Sequence, residues 1–258
     1  MSTLQTFILA VVQGVTELLP ISSSGHLSIV SEWLNINTDL FFITILHIGT
    51  TFSIIYGYRK TLIETLRSKY RWKFIINLFF ATIPAVVAGL LLAEYIDAYL
   101  YSTSVVAVNL VFWGFVMIYI EKRSTRMPPK ITSIKKVTTG NSIVVGLAQA
   151  LALIPGTSRS AITTITGVVI GIEKYTALQF SFLMGLPVLF GSFVYEIFIK
   201  ENGGVENLLT QQNLFGIVVA GITGIAAISI VRKYKKEKFL TFFGIYRIIL
   251  GVVLLILL

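Results

Sequence analysis

Apolar residues run almost unbroken through six stretches of the chain, at roughly 39–58, 74–95, 104–121, 175–199, 213–231 and 240–258. A helix of about 20 residues crosses a hydrocarbon layer about 30 Å thick, so each run is expected to be a transmembrane helix. None of the runs alternates polar with apolar, as the strands of a membrane barrel must. Two further stretches, 4–34 and 140–172, are apolar at both ends but broken in the middle by Pro20-Ile21-Ser22-Ser23-Ser24-Gly25-His26 and Pro155-Gly156-Thr157-Ser158-Arg159-Ser160. Their halves, about 11 to 16 residues long, are too short to cross, and each stretch is expected to form a helical hairpin that enters the bilayer and returns. Pro84 and Pro187 fall inside spans and are expected to kink them.

Composition agrees with this pattern and excludes a soluble domain: 55% of the residues are hydrophobic, 13% are charged, and the mean hydropathy is +0.84. The net charge of +9 resides in loops. Arg59, Lys60, Arg67, Lys69, Arg71 and Lys73 fill one loop. Lys122, Arg123, Arg126, Lys130, Lys135 and Lys136 fill a second, and Arg232, Lys233, Lys235, Lys236 and Lys238 a third. With two re-entrant hairpins these loops and Lys174 share one side, whereas Lys200 is the only basic residue in an opposite loop, among Glu32, Asp39, Glu94, Asp97, Glu201 and Glu206. Positive loops mark the cytoplasmic side, so both termini are expected outside the cytoplasm, and the charge implies no nucleic acid partner. The absence of cysteine excludes disulfides, thiol catalysis and Cys-ligated metals. No basic segment precedes the first apolar stretch and no small-residue cleavage site is evident, so no removable signal peptide is expected.

The broken stretches resemble one another. At an offset of 135 residues, Leu18-Leu19-Pro20 lies on Leu153-Ile154-Pro155 and Ser23 on Ser158. Three spans separate them, an odd number, so the second hairpin is expected to enter from the opposite face. The expected architecture is therefore an all-α polytopic membrane protein, with six transmembrane helices and two re-entrant helical hairpins in an inverted-topology repeat. It forms one domain, 1–258, with halves at about 1–123 and 140–258 joined near Met127-Pro128-Pro129.

A hairpin tip exposes a helix start inside the bilayer, where unsatisfied N–H groups and the helix dipole favour an anion. Ser22 or Ser23 can cap the first such helix and Thr157 or Ser158 the second. Arg159 adds a planar cation suited to phosphate, which makes a phosphate or diphosphate the expected ligand. Glu17 carries a charge at membrane depth and needs a partner or a wet cavity, and Gln13 lies one turn earlier on the same face. A purely structural Glu17–Arg159 pair is the alternative, but it leaves the hydroxyl cluster without a role. His26 is spaced to approach Ser22 or Ser23, a nucleophile and a base within reach, or else a structural hydrogen-bonding group. His47 reads as an inter- or intrahelical hydrogen-bonding group. Arg247 is expected to snorkel to the cytoplasmic interface and Glu196 to reach interfacial water. Gly14, Gly146 and Gly167 read as close-packing positions, since no phosphate-loop pattern surrounds them.

Gln13-Gly14-Val15-Thr16-Glu17, then Pro20-Ile21-Ser22-Ser23-Ser24-Gly25-His26 and Pro155-Gly156-Thr157-Ser158-Arg159-Ser160, together resemble the undecaprenyl-diphosphate phosphatase family, also called the bacitracin-resistance protein family, over essentially the whole chain. The resemblance implies a multi-pass enzyme of the bacterial cytoplasmic membrane that removes the terminal phosphate of undecaprenyl diphosphate. The monophosphate carrier it returns serves cell-wall synthesis, and bacitracin acts by sequestering the substrate. It also implies catalytic roles for Glu17, Ser23, His26 and Arg159, phosphate contacts from Gln13, Ser22, Ser24, Gly25, Thr157, Ser158 and Ser160, and dependence on Mg²⁺ or Ca²⁺. The family position occupied by Gln13 takes Glu or Gln. Here Glu17 is thus the only carboxylate at either tip, the one protein metal ligand, with the cation carried mainly by the diphosphate. A homodimer would be unsurprising in the family, and the bilayer lipids are expected neighbours. The other lipid phosphatase family that shares a Ser-Gly-His element also needs a second active-site histidine and an Arg-Pro motif, and the chain has no Arg-Pro pair. Ser23 is the first choice for nucleophile, with water or His26 as alternatives and Glu17 or His26 as base. A polyprenyl-phosphate transporter is the rival of a different class, because inverted repeats with broken helices also build transporters.

Overall fold

A computed structural model of the chain describes residues 1–36, 38–126, 128–198, 210–233 and 238–258. Met127, Lys200, Glu201, Glu206, Lys235 and Lys236 lie outside these described residues. Within them the fold is helical, with an isolated bridge between Ile131 and Ile172 as the only extended pairing. Helix α1 (Thr3–Glu17) starts in a capping box in which the Ser2 side chain accepts from Gln5 N–H and the Gln5 side chain accepts from Ser2 N–H. Then follow α2 (Ser23–Trp33), α3 (Leu40–Gly57), α4 (Arg59–Leu66), α5 (Arg71–Tyr99) and α6 (Thr103–Ser124). The second half holds α7 (Thr139–Ala150), α8 (Arg159–Val169), α9 (Lys174–Phe198), α10 (Gln211–Lys233) and α11 (Phe239–Leu257).

Six of these helices, α3, α5, α6, α9, α10 and α11, are long and apolar enough to cross a membrane, at the six places read from the sequence. Helix α5 is longer than its apolar run because Arg71 to Lys73 and Glu94 to Tyr99 continue it beyond that run at both ends. Pro84 and Pro187 both sit inside their helices. Large apolar side chains such as Phe79, Leu91, Phe112, Ile222 and Phe242 lie on the outside. Water would not tolerate that surface, but lipid tails do. Arg59 over Tyr56, Lys69 over Tyr70 and Arg71 over Trp72 place cations on aromatic rings along the segment that links α3 to α5. This amphipathic belt is what a membrane interface selects.

With little hydrophobic drive between helices in lipid, association depends on close backbone approach. Helix α6 packs along α11, α3 and α1 along α10, and α7 along α5. A Cβ on Gly14 would lie 2.0 Å from Thr223 Oγ1, and one on Gly146 2.5 Å from the Ala81 carbonyl. A Cβ on Gly167 would lie 2.8 Å from Ala177 Cβ, so all three glycines serve packing as expected. At the other end of the core, buried Glu121 pairs with Lys174 of α9 and accepts the Leu240 N–H of α11 at 3.0 Å. A carboxylate at the last turn of α6 opposes that helix's dipole, but it also sits at the start of α11, where the dipole favours it.

Candidate active site

Each broken stretch turns on one serine. Ser22 caps α2 with φ 75° and ψ 93°, and Ser158 caps α8 with φ 73° and ψ 111°. Positive φ is uncommon for a residue with a side chain and costs about 1–3 kcal/mol, so both turns are held by what surrounds them. The Ser22 Oγ accepts Gly25 N–H at 3.4 Å and the Ser158 Oγ accepts Ala161 N–H at 3.3 Å. Each hydroxyl also meets that of the serine two positions on, Ser24 at 3.4 Å and Ser160 at 3.3 Å. The structurally matching pair is therefore Ser22 with Ser158, one residue out of step with the sequence alignment of Ser23 on Ser158. The discrepancy arises because Pro155-Gly156-Thr157 spends one residue more than Pro20-Ile21 before the cap. Gly156, at φ 86°, provides the turn, and a Cβ there would lie 2.6 Å from the Val106 carbonyl.

The two breaks meet. Ser160 Oγ donates to the Leu19 carbonyl at 3.1 Å. Glu17, the last residue of α1, reaches Arg159, the first of α8, with Oε1 2.6 Å from Nη2. Its second oxygen, Oε2, accepts Ser23 Oγ–H at 2.5 Å and Gln13 Nε2–H at 3.3 Å, and lies 3.5 Å from His47 Nε2. Glu17 is 8% exposed, so the charge is compensated from every side rather than solvated. Arg159 is steadied by the Gly185 carbonyl at 3.2 Å from Nη1. Glycine leaves the guanidinium this room, since a Cβ on residue 185 would lie 2.6 Å from Nη1 and displace it. The first amides of α2 and α8 have no acceptor within their own helices. Two helix starts and a guanidinium therefore converge beside a hydroxyl already bonded to a carboxylate.

Arg247 does not snorkel. It is 0% exposed and fans across four backbone carbonyls: Pro20 at 3.3 Å, Gly156 at 2.7 Å, Thr157 at 3.1 Å and Asn109 at 3.4 Å. Both breaks leave carbonyls that no helix can satisfy, and a five-donor guanidinium is the side chain able to collect them. The sequence held the clue, because Gly244 and Gly251 flank Arg247 at one-turn spacing on the face that packs against α6. Glu196 likewise is buried, not at the water boundary. His26 lies on α2 but not on Ser23: Nδ1 is 2.7 Å from the Ser22 carbonyl and Nε2 2.7 Å from Tyr246 Oη, with the two rings stacked at 5.7 Å. Helical spacing carries it toward the preceding carbonyl instead of the hydroxyl. Ser24 is exposed, Gly25 and Thr157 are buried, and Thr157 Oγ1 has no partner.

Sequence reasoning passed over Gly185 and Tyr246, and it read Arg247 as interfacial and His47 only as a hydrogen-bonding group. Gly185 and Tyr246 carry no local signal, since their roles exist only across helices. A further unsatisfied atom bears on cation binding. Gln13 is fully buried and its Oε1 has no hydrogen-bond partner, although its Nε2 is bonded to Glu17. An orphaned carbonyl oxygen beside a carboxylate is the donor set a hard divalent cation uses, so these residues fit one.

Over residues 6–253 the sequence matches the family described as bacitracin resistance protein BacA. It is 35% identical to an undecaprenyl-diphosphatase of Enterococcus faecalis over 265 residues, 97% of this chain and 95% of that one. Identity is 35% over 268 residues to an undecaprenyl-diphosphatase of Streptococcus thermophilus, 98% and 92% of the two chains. A Neisseria meningitidis undecaprenyl-diphosphatase is 34% identical over 260 residues, 98% and 94%. The chain therefore belongs to the bacitracin resistance protein BacA family.

Proposed function

We infer that the protein is a membrane-embedded undecaprenyl-diphosphate phosphatase, which hydrolyses undecaprenyl diphosphate to undecaprenyl phosphate and inorganic phosphate. The observation that carries this reading is Ser23 Oγ–H bonded to Glu17 at 2.5 Å while Arg159 holds the other carboxylate oxygen. The isoprenoid tail stays among lipid tails and the diphosphate reaches the meeting helix starts. There the free amides at the starts of α2 and α8 and the Arg159 guanidinium stabilise the charge that builds on the terminal phosphate. Ser23 Oγ attacks that phosphorus as its proton passes to Glu17. The bond to the bridging oxygen breaks, and undecaprenyl phosphate leaves with the electron pair. Water then cleaves the phosphoserine, freeing inorganic phosphate and restoring Ser23. Direct attack by water activated at Glu17 gives the same products. Gln13 Oε1 and Glu17 would hold a Mg²⁺ or Ca²⁺ ion, which would neutralise diphosphate charge. His26, bonded to Ser22 and Tyr246, positions the α2 turn.

The same reading takes α1–α2 and α7–α8 as re-entrant hairpins of an inverted repeat. Its support is the matched backbone of Ser22 and Ser158, the matched hydroxyl pairs that follow them, and helices too short to cross. The distribution of basic loops supports termini outside the cytoplasm.

The deciding experiment is phosphate release from undecaprenyl diphosphate by the purified protein in detergent, with and without Mg²⁺ or Ca²⁺, beside Glu17→Ala and Arg159→Ala. Release that requires the cation and is lost in both variants is expected. Folded protein that releases none would overturn the enzyme reading and leave polyprenyl-phosphate transport as the function to assay.

A further inference from the structure

A second polar site lies away from the hairpin tips, where the basic loop after α6 returns to the turn between α8 and α9. Lys130 N–H and Ile131 N–H donate to the Gly171 carbonyl at 2.8 and 3.0 Å, and Glu173 N–H donates to the Ile131 carbonyl at 2.8 Å. These bonds tie the loop to the turn, and Pro128 and Pro129, whose rings fix φ, stiffen the stretch that leads into them. Between the loop, the turn and the end of α6 lies a cleft of about 300 Å³.

Part of the cleft lining is apolar, formed by Ile120, Val168, Val169 and Ile170, and Val169 is exposed. Arg123 and Lys130 line it as well, and neither is ion-paired with a described residue. The third cation there, Lys174, is already held by Glu121. The carboxylate in the lining, Glu173, accepts the Thr176 hydroxyl at 2.7 Å. Residues 122–136 include six basic residues and no acidic one, so the loop over the cleft carries a positive field that nothing in its own sequence offsets.

Depth and surroundings point to the ligand. Ser124 ends α6 and Lys174 begins α9, both helices of membrane length, which puts the cleft where a span gives way to lipid headgroups. Back along α6 from Arg123, Tyr119, Phe115 and Phe112 follow at one-turn spacing, and all three are exposed. A cationic cleft at headgroup depth beside an apolar lane matches a molecule with an anionic head and hydrocarbon tails. A free anion would use the cations and leave the apolar lining without a partner.

We propose that this cleft binds an anionic phospholipid of the bilayer, with its phosphate on Arg123 and Lys130 and its acyl chains on the apolar lining and the exposed face of α6. The lipid spans the ends of α6, α8 and α9, helices from both halves of the chain, and so stabilises their junction without entering the reaction. The proposal does not depend on the phosphatase reading.

The test is native mass spectrometry of the purified full chain in detergent, titrated with phosphatidylglycerol or with phosphatidylcholine, whose head carries no net charge. Wild-type protein is expected to hold phosphatidylglycerol about 10- to 30-fold more tightly than Arg123→Gln/Lys130→Gln does, since each basic residue near a membrane surface contributes about fivefold. Lys122→Gln/Arg126→Gln removes the same charge from the same loop but outside the cleft lining, and is expected to bind as the wild type does. Phosphatidylglycerol, and not phosphatidylcholine, is expected to raise the thermal unfolding midpoint of the wild type and of the second variant but not of the first. Equal affinity of the wild type for the two lipids overturns the proposal, and so does an equal loss in both variants, which would show attraction to loop charge alone. Displacement of phosphatidylglycerol by inorganic phosphate at matched ionic strength overturns it in favour of a free-anion site. If the first variant fails to fold, Arg123→Gln and Lys130→Gln made singly carry the comparison, each expected to lose about fivefold, and the contrast between the two lipids on wild-type protein still decides.

Discussion

The α-carbon of Gly185 lies directly against the guanidinium of Arg159, so close that a Cβ would stand 2.6 Å from Nη1, 2.7 Å from Cζ and 2.8 Å from Nη2. This is backbone shaped around a side chain from another helix. Gly185→Ala leaves the α9 backbone helical and moves only the guanidinium. Misplacing a catalytic group by about 1 Å costs about 100-fold in rate. Phosphate release is therefore expected to fall by about 10- to 100-fold, with thermal unfolding in detergent close to that of the wild type.

Arg247 makes the opposite prediction, a loss of stability more than of chemistry. Removing it strands the carbonyls of Pro20, Gly156 and Thr157 in the core, and each unsatisfied buried group costs about 1–3 kcal/mol. Arg247→Met is expected to lower the thermal unfolding midpoint markedly. Arg247→Lys should restore only part of it, because an ammonium cannot span the fan of acceptors. Equal midpoints for wild type and Arg247→Met would show that the fan contributes nothing.

Ser158 separates cap from strain. Alanine removes the hydroxyl that accepts Ala161 N–H yet keeps a Cβ at φ 73°. Glycine also removes the hydroxyl but relaxes the backbone, and caps with Gly lose only a few tenths of a kcal/mol relative to Ser. Ser158→Gly should thus unfold at a higher temperature than Ser158→Ala, by about 1 kcal/mol of stability.

Ser23 as nucleophile predicts a covalent species. Acid quench of a single turnover followed by mass spectrometry is expected to find phosphate on Ser23, and Ser23→Ala should lose about 100-fold or more in kcat. Turnover that proceeds with no phosphoserine at any time point would assign the attack to water held by Glu17.

The membrane architecture was legible because hydrophobic length is a local property: each long span and both interruptions can be counted along the chain. Glu17, Ser23 and Arg159 were legible for a related reason, since a charge or a hydroxyl run inside an apolar stretch is costly enough to stand out. What escaped was the geometry of pairing. His26 has the spacing to approach a hydroxyl but is taken by the Ser22 carbonyl and by Tyr246, 220 residues away. His47, by contrast, is the hydrogen-bonding group the sequence suggested, with Nδ1 on the Ile43 carbonyl of its own helix and Nε2 facing Glu17 of α1. Arg247 looked interfacial because depth along a span was counted and the direction of the side chain was not. The match between the two broken stretches is one residue off at the caps because identical serines fill neighbouring positions, and only backbone torsion distinguishes the cap from its neighbour.

The Arg247 fan also constrains how the molecule can move. A guanidinium bonded at once to Pro20 of one break and to Gly156 and Thr157 of the other acts as a rivet through both tips. A rocking cycle that opened one half of the molecule while leaving the other in place would have to shear that rivet and strand its acceptors in a dry core. The two breaks are therefore expected to move together as one unit, whatever the surrounding long helices do.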